Sequence, residues 1–165
     1  MRRIKPLVIV AALAFVTASV AAQANLAGKW TLDPASVPAP PADGGGGRGG
    51  GRGGMLGQEV TITQDAANLT LDYMGGGQNP APVKLVYKLD GTESKNMMMG
   101  RGGQMEQVSK AAWSGQSLVI TTTTAAGEVK RTLSLQGGNL VVETAAPGRD
   151  GGPGTTTKVV YKKAA

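Results

Sequence analysis

Short runs of alternating apolar and polar residues recur along the chain after residue 25, and none gives way to a helical period. Trp30 and Leu32 alternate with Lys29, Thr31 and Asp33, and Val60 and Ile62 alternate with Thr61 and Thr63. Leu69, Leu71 and Tyr73 make one face, as do Val83, Leu85, Tyr87 and Leu89. The same holds for Val129, Leu133 and Leu135, and for Val159 and Tyr161. A period of two, rich in Thr, Val and Tyr, is the pattern of antiparallel strands with one face buried. Turn residues punctuate the runs at Asp65 to Asn68, Asp90-Gly91, Ser114-Gly115, Ala126-Gly127 and Gly137 to Asn139. The spacing predicts about nine strands, near residues 28–33, 58–64, 68–74, 83–89, 105–113, 117–124, 128–135, 139–145 and 155–162. Many short meandering strands in one domain predict an all-β fold. We expect a single antiparallel up-and-down barrel, closed or half-open, of about eight to ten strands. A two-sheet sandwich is the alternative.

Residues 1–24 read differently. Arg2, Arg3 and Lys5 precede the apolar run Leu7 to Val16, and small residues then lead to Ala22-Gln23-Ala24. This is the order of a secretory signal peptide, with cleavage expected after Ala24 and Ala22 as the second choice. The run is shorter than the roughly 20 apolar residues of a membrane span, so no span is expected after cleavage. Cleavage also changes the charge. The chain has 17 basic and 11 acidic residues, net +6, but three of the basic ones lie in the signal, which leaves +3. Half of the net positive charge therefore concerns targeting, and nucleic acid is not an expected partner. There is no Cys and no His among the 165 residues. That excludes disulfides, thiolate nucleophiles, Ser-His-Asp triads and imidazole-bound metals. An exported chain without Cys points to a bacterial envelope, periplasmic or secreted.

The remaining 25–165 form one domain with an expected flexible insert at 34–57, after the first strand. Nine of the eleven residues from Gly44 to Gly54 are Gly, the others being Arg48 and Arg52. Such a run has almost nothing to bury. Together with Arg101 these arginines sit in RGG-like contexts. Those bind RNA inside cells, but in an exported chain they are expected only to keep a loop soluble.

The segments Asn25 to Asp33 (NLAGKWTLD), Tyr87 to Asn96, Ala111 to Leu135, Gly137 to Ala146 and Thr155 to Lys163 resemble, in strand order and turn placement, the calycin group. These are the lipocalins and the fatty-acid-binding proteins, and Gly28-x-Trp30 matches their first-strand signature. The resemblance implies a barrel that takes a small apolar or amphipathic ligand, with Trp30 closing its base. It also resembles small exported bacterial proteins with Gly/Arg-rich loops. Two departures stand out. The helix-turn-helix lid of the fatty-acid-binding proteins is replaced by the Pro/Gly-rich insert. The Arg that the family places two residues before the Tyr of its last strand is Val159 here, counting from Tyr161.

Arg131 is the most informative residue. Its neighbours at spacing two, Val129 and Leu133, are apolar, so alternation turns Arg131 inward. An inward Arg needs an anionic partner or several acceptors. It is read either as the anchor for an acidic ligand group or as one half of an internal pair. The side chains expected to meet a ligand are Arg131, Tyr73, Tyr87, Tyr161, Trp113, Met97, Met98 and Met99. Trp113, like Trp30, is also read as core. The Met-rich stretch of Met97 to Met99 and Met105, with Met55 and Met74 in other loops, is read as packing, as an apolar portal, or as a thioether-only Cu(I) site. Thr121 to Thr124 reads as a strand with one wet face. Asp33, Asp65, Asp72, Asp90, Glu93, Glu106, Glu128 and Glu143 fall at turns or outward positions and specify neither acid–base nor metal chemistry.

The expectation is an exported, non-enzymatic barrel that needs no cofactor and binds a small hydrophobic or amphipathic molecule. The alternative is an envelope structural or interaction protein with a filled barrel and working Gly/Arg and Met loops. A Met-only Cu(I) binder is the lesser alternative.

Overall fold

The structure is a computed structural model and describes residues 23–38, 55–76, 80–100, 103–148 and 154–164. Its strands are β1 (Gly28–Leu32), β2 (Glu59–Gln64), β3 (Asn68–Met74), β4 (Pro82–Lys88) and β5 (Glu93–Gly100). They continue as β6 (Gly103–Ser114), β7 (Ser117–Thr124), β8 (Gly127–Gln136), β9 (Asn139–Ala146) and β10 (Thr155–Lys163). All ten form one antiparallel sheet in the order β4-β3-β2-β1-β10-β9-β8-β7-β6-β5. Each pair is adjacent in sequence except β1 with β10, where Leu32 lies opposite Tyr161. That pairing curls the sheet into a nearly closed up-and-down barrel.

The alternation read from the sequence is the inside–outside alternation of this barrel. Val60, Ile62, Leu69, Leu71, Leu85, Leu133 and Val159 are all buried in one core. Each fully buried side chain of this kind stabilises the fold by about 1.5–3 kcal/mol. Leu135 departs from the expectation. Near the end of β8 it is 37% exposed, although Leu140 opposite it on β9 is fully buried.

The barrel is completed between β4 and β5 by side chains. Asn96 Oδ1 accepts from the Val86 N–H at 2.7 Å and its Nδ2 donates to the Val86 carbonyl at 3.0 Å. One amide side chain thus stands in for the two bonds that a neighbouring strand would make. Ser94 Oγ accepts from the Lys88 N–H at 2.8 Å and extends the seam by one step.

The β5 strand is the one that the sequence pattern does not reveal. Its inward residues include buried Ser94 and Asn96, so it has no apolar alternation to detect. As a consequence Met97, Met98 and Met99 are strand residues, Met105 lies on β6 and Met74 ends β3. None of these five sits in a connecting loop.

The two ends of the expected insert at 34–57 are both tied to β10. Pro34–Ser36 forms a single 3₁₀ turn capped by Asp33, whose Oδ1 accepts from the Ala35 N–H. Ser36 Oγ accepts from the Val160 N–H at 2.9 Å. Lys162 pairs with Asp33 at 2.9 Å, and this hydrogen bond, ahead of that from Ala35, lowers the Asp33 carboxyl from its ordinary value. At the other end Leu56 is completely buried. The Leu56 N–H donates to the Tyr161 hydroxyl at 2.8 Å, and that hydroxyl donates to the Gly57 carbonyl at 3.1 Å. Gly57 has a φ of +76°, and a Cβ there would stand 2.6 Å from the Met74 carbonyl oxygen, so only Gly fits. The Gly44 to Gly54 run with Arg48 and Arg52, Arg101, and residues 1–22 of the expected signal peptide lie outside the described residues. Among the described residues the turn at Pro34–Ser36 is the only helix, and no helix is long and apolar enough to cross a membrane.

Candidate functional site

Among the described residues, polar side chains are buried on one side of the interior only. The core residues contributed by β1 to β4 and β10, among them Leu71, Leu85, Tyr87 and Tyr161, are apolar or aromatic. The buried polar side chains all come from β5, β6, β7 and β9: Ser94, Asn96, Ser109, Thr122 and Thr144. Ser109 and Thr122 face each other across β6 and β7, with their hydroxyl oxygens 2.8 Å apart. The same strands, together with β8, also bury hydrocarbon, at Ala111, Leu118, Ile120, Leu133, Leu140 and Val142, so the hydroxyls and amides occupy only part of each inward row.

A cavity of about 550 Å³ lies where the two sides meet, at the end of the barrel that holds the β3–β4, β5–β6 and β7–β8 turns. Met55, Tyr73, Val83, Leu85 and Met98 give it an apolar wall. Gln104, Gln107, Thr122, Thr124 and Arg131 give it a polar one. A second hollow, against Glu59, Thr61, Asp72 and Met74, lies on the outer face of β2 to β4.

Arg131 lies on β8, inward as Val129 and Leu133 require, and lines the cavity. Its Nε is buried and has no hydrogen-bond partner. The ion pairs of the described residues join Lys95 with Glu106, Lys110 with Glu93, and Lys162 with Asp33, and none involves Arg131. No carboxylate among the described residues lines the cavity. The charge of Arg131 is instead felt by three phenols. Burial pushes Tyr87 and Tyr161 up to about 12 and raises Tyr73, and Arg131 opposes the rise in each.

The residues singled out from the sequence divide into three groups. Arg131, Tyr73, Met97 and Met98 come together on the cavity. Tyr87 and Tyr161 are fully buried in the core, and the Tyr161 hydroxyl is engaged by Leu56 and Gly57. Trp113 is partly buried beside the β6–β7 turn, at the opposite end of the barrel, with its indole N–H buried and unpartnered. Trp30 is buried and donates to the Leu26 carbonyl at 3.0 Å. The backbone of Met99 belongs to β5, and its side chain is outside the described residues. Sequence reasoning did not find Gln104, Gln107, Thr122 or Thr124. The Thr run did hold a signal, because Thr122 and Thr124 follow Leu118 and Ile120 at spacing two on the inward face.

Chemically the cavity offers a fixed positive charge, amide and hydroxyl groups on one wall, and hydrocarbon and thioether on the other. This suits reversible binding of a molecule with both characters.

No family model and no curated protein matches the sequence. Solved structures do resemble the fold. The fluorescent protein UnaG superposes with a TM-score of 0.56 at 16% identity, covering 84% of this chain and 97% of that one. The zebrafish ileal bile acid-binding protein, solved with cholic acid, gives 0.53 at 19% identity, with 84% and 98% covered. The REP1-NXSQ fatty acid transporter gives 0.54 at 10% identity, again with 84% and 98% covered. At these identities the likeness concerns the fold alone, a single up-and-down antiparallel barrel.

Proposed function

We propose that this chain is an exported, non-enzymatic binding protein that holds one small amphipathic molecule in the mouth of its barrel. In this reading the anionic or strongly accepting end of the ligand meets Arg131. Its oxygen-bearing face lies on Gln107, Thr122 and Thr124, and its hydrocarbon lies against Met55, Tyr73, Val83 and Met98. The observation that carries the proposal is Arg131 itself: a guanidinium in a cavity wall, with a buried Nε and no carboxylate beside it among the described residues. A guanidinium N–H buried there without a partner costs stability, and an anionic ligand removes that cost. The cavity volume of about 550 Å³ favours binding over a filled barrel, since ligand sites begin near 300 Å³. The fold neighbours include proteins named for binding bile acids and transporting fatty acids, which supports a small-ligand role. Export rests on the order of residues in the first 24.

Anilinonaphthalene sulfonate, an apolar fluorophore with a single anionic group, provides a direct test. The expected result is one probe per chain, bound at least tenfold more weakly by Arg131→Gln, because a hydrogen bond to a charged group contributes about 1.5–3 kcal/mol. Equal affinity in wild type and variant would remove Arg131 from the site, and no saturable binding would remove the proposal.

A further inference from the structure

The strands β4 and β5 stand at the two ends of the sheet order, so no backbone ladder joins them. The seam between them is closed in steps of two residues. Ser94 serves the Lys88 N–H, and Asn96 serves both the N–H and the carbonyl of Val86. On an antiparallel strand, residues two apart direct these groups to the same edge. The N–H and carbonyl of Lys84 therefore face the seam as well, away from β3. After Ser94 and Asn96, the next residue in the series is Met98, whose thioether has no donor and is only a weak acceptor. Among the described residues no group bonds to either backbone group of Lys84 across the seam. A second observation agrees. The side chain of Lys84 alternates outward with those of Val86 and Lys88, and all three residues are exposed. Yet Lys84 lines the cavity, whereas Val86 and Lys88 do not. The cavity thus reaches the seam at the step that Asn96 and Ser94 leave uncovered.

We infer that the ligand carries a primary carboxamide, which occupies the Lys84 step of the seam as the Asn96 side chain occupies the Val86 step. The inference rests on the binding role proposed above and names the class of molecule bound. Backbone groups that face an open cavity bond to water, and a ligand that displaces the water must replace both bonds or leave both groups unpaired. A hydrocarbon end replaces neither. An ester supplies an acceptor only. A carboxamide supplies an acceptor for the Lys84 N–H and a donor for the Lys84 carbonyl. A single residue presents these two groups together, so the ligand needs its donor and acceptor on the same side. The NH2 of a primary amide meets that need, whereas an ordinary secondary amide is trans and does not. Lys84 and Arg131 line the same cavity. The ligand class is therefore a bifunctional amphiphile, with an anionic group for Arg131, a carboxamide for Lys84, and hydrocarbon between them.

Isothermal titration calorimetry with three probes tests this: the monoamide of dodecanedioic acid, its monomethyl ester, and dodecanoate. Each carries one carboxylate on the same length of chain, and they differ in what the far end offers. Wild type is expected to bind the monoamide about fivefold more tightly than the ester, the usual worth of one further hydrogen bond. Lys84→Pro removes the N–H, and Pro is tolerated on an edge strand where that N–H has no ladder partner. Circular dichroism establishes that the variant is folded. It is expected to bind the monoamide about fivefold more weakly than wild type, while its affinity for dodecanoate is unchanged. Lys84→Ala, which keeps the backbone groups, should bind the monoamide as wild type does. Equal affinity of wild type for monoamide and ester would overturn the inference and leave the binding role intact. So would a monoamide affinity unchanged in Lys84→Pro, or a weakening shared by Lys84→Ala or by dodecanoate. No saturable binding of any of the three probes would overturn the inference and the binding role together.

Discussion

Arg131 shows what a single residue reveals through its neighbours. Val129 and Leu133 fix its direction, and the structure adds what alternation cannot, namely that its Nε is buried without a partner on the wall of a cavity. Tyr161 shows the limit of the same reasoning. The period of two puts its ring inside, but nothing local to β10 reveals that its hydroxyl is engaged by Leu56 and Gly57, more than a hundred residues earlier. The phenols yield a prediction about pH. Burial favours the neutral form and pushes Tyr87 and Tyr161 up to about 12, against an ordinary value of 10.0. Between those values the unfolded chain releases protons that the folded chain still holds. Stability is therefore fully present below pH 10 and falls as pH rises toward 12, by about 1.4 kcal/mol per pH unit for each phenol at most. Urea melts across this range, with tyrosinate absorbance followed alongside, should show stability falling and all three tyrosines titrating late, Tyr87 and Tyr161 near 12. All three ionising near 10 in the folded protein would contradict the burial described.

At the level of elements, the strands that wear hydrocarbon on one face were legible and β5 was not. Its inward positions are used for hydrogen bonding, so the residue types that close the barrel are also those that hide the strand. Asn96 is the centre of that closure. Asn96→Ala removes both bonds to Val86 and leaves its N–H unpaired, which should destabilise the barrel by about 2 kcal/mol. Ser94→Ala, losing one bond, should cost about 1 kcal/mol. Hydrogen exchange should quicken at the Val86 and Lys88 amides first, because those donors lose their acceptors. A change below 0.5 kcal/mol in Asn96→Ala, taking ~1 kcal/mol as the usual worth of one bond, would mean that the seam is not held by this side chain.

For the molecule as a whole, topology was the most legible property, since ten short strands joined by turns have few arrangements open to them. The two-sided interior was much less so. Its polar patch emerges only when inward positions from β5 to β9 are brought together, because on β6, β7 and β9 the buried hydroxyls share the inward face with hydrocarbon. That patch of hydroxyls and amides with Arg131, on a cavity whose other wall is hydrocarbon and thioether, is the basis for proposing an amphipathic ligand. Native mass spectrometry of the protein purified from its own cells tests this claim most directly. The account predicts the mass of a chain beginning at Asn25, carrying one discrete non-covalent organic adduct that Arg131→Gln loses. The same adduct persisting on Arg131→Gln, or a bare chain that also fails to take up anilinonaphthalene sulfonate, would contradict it.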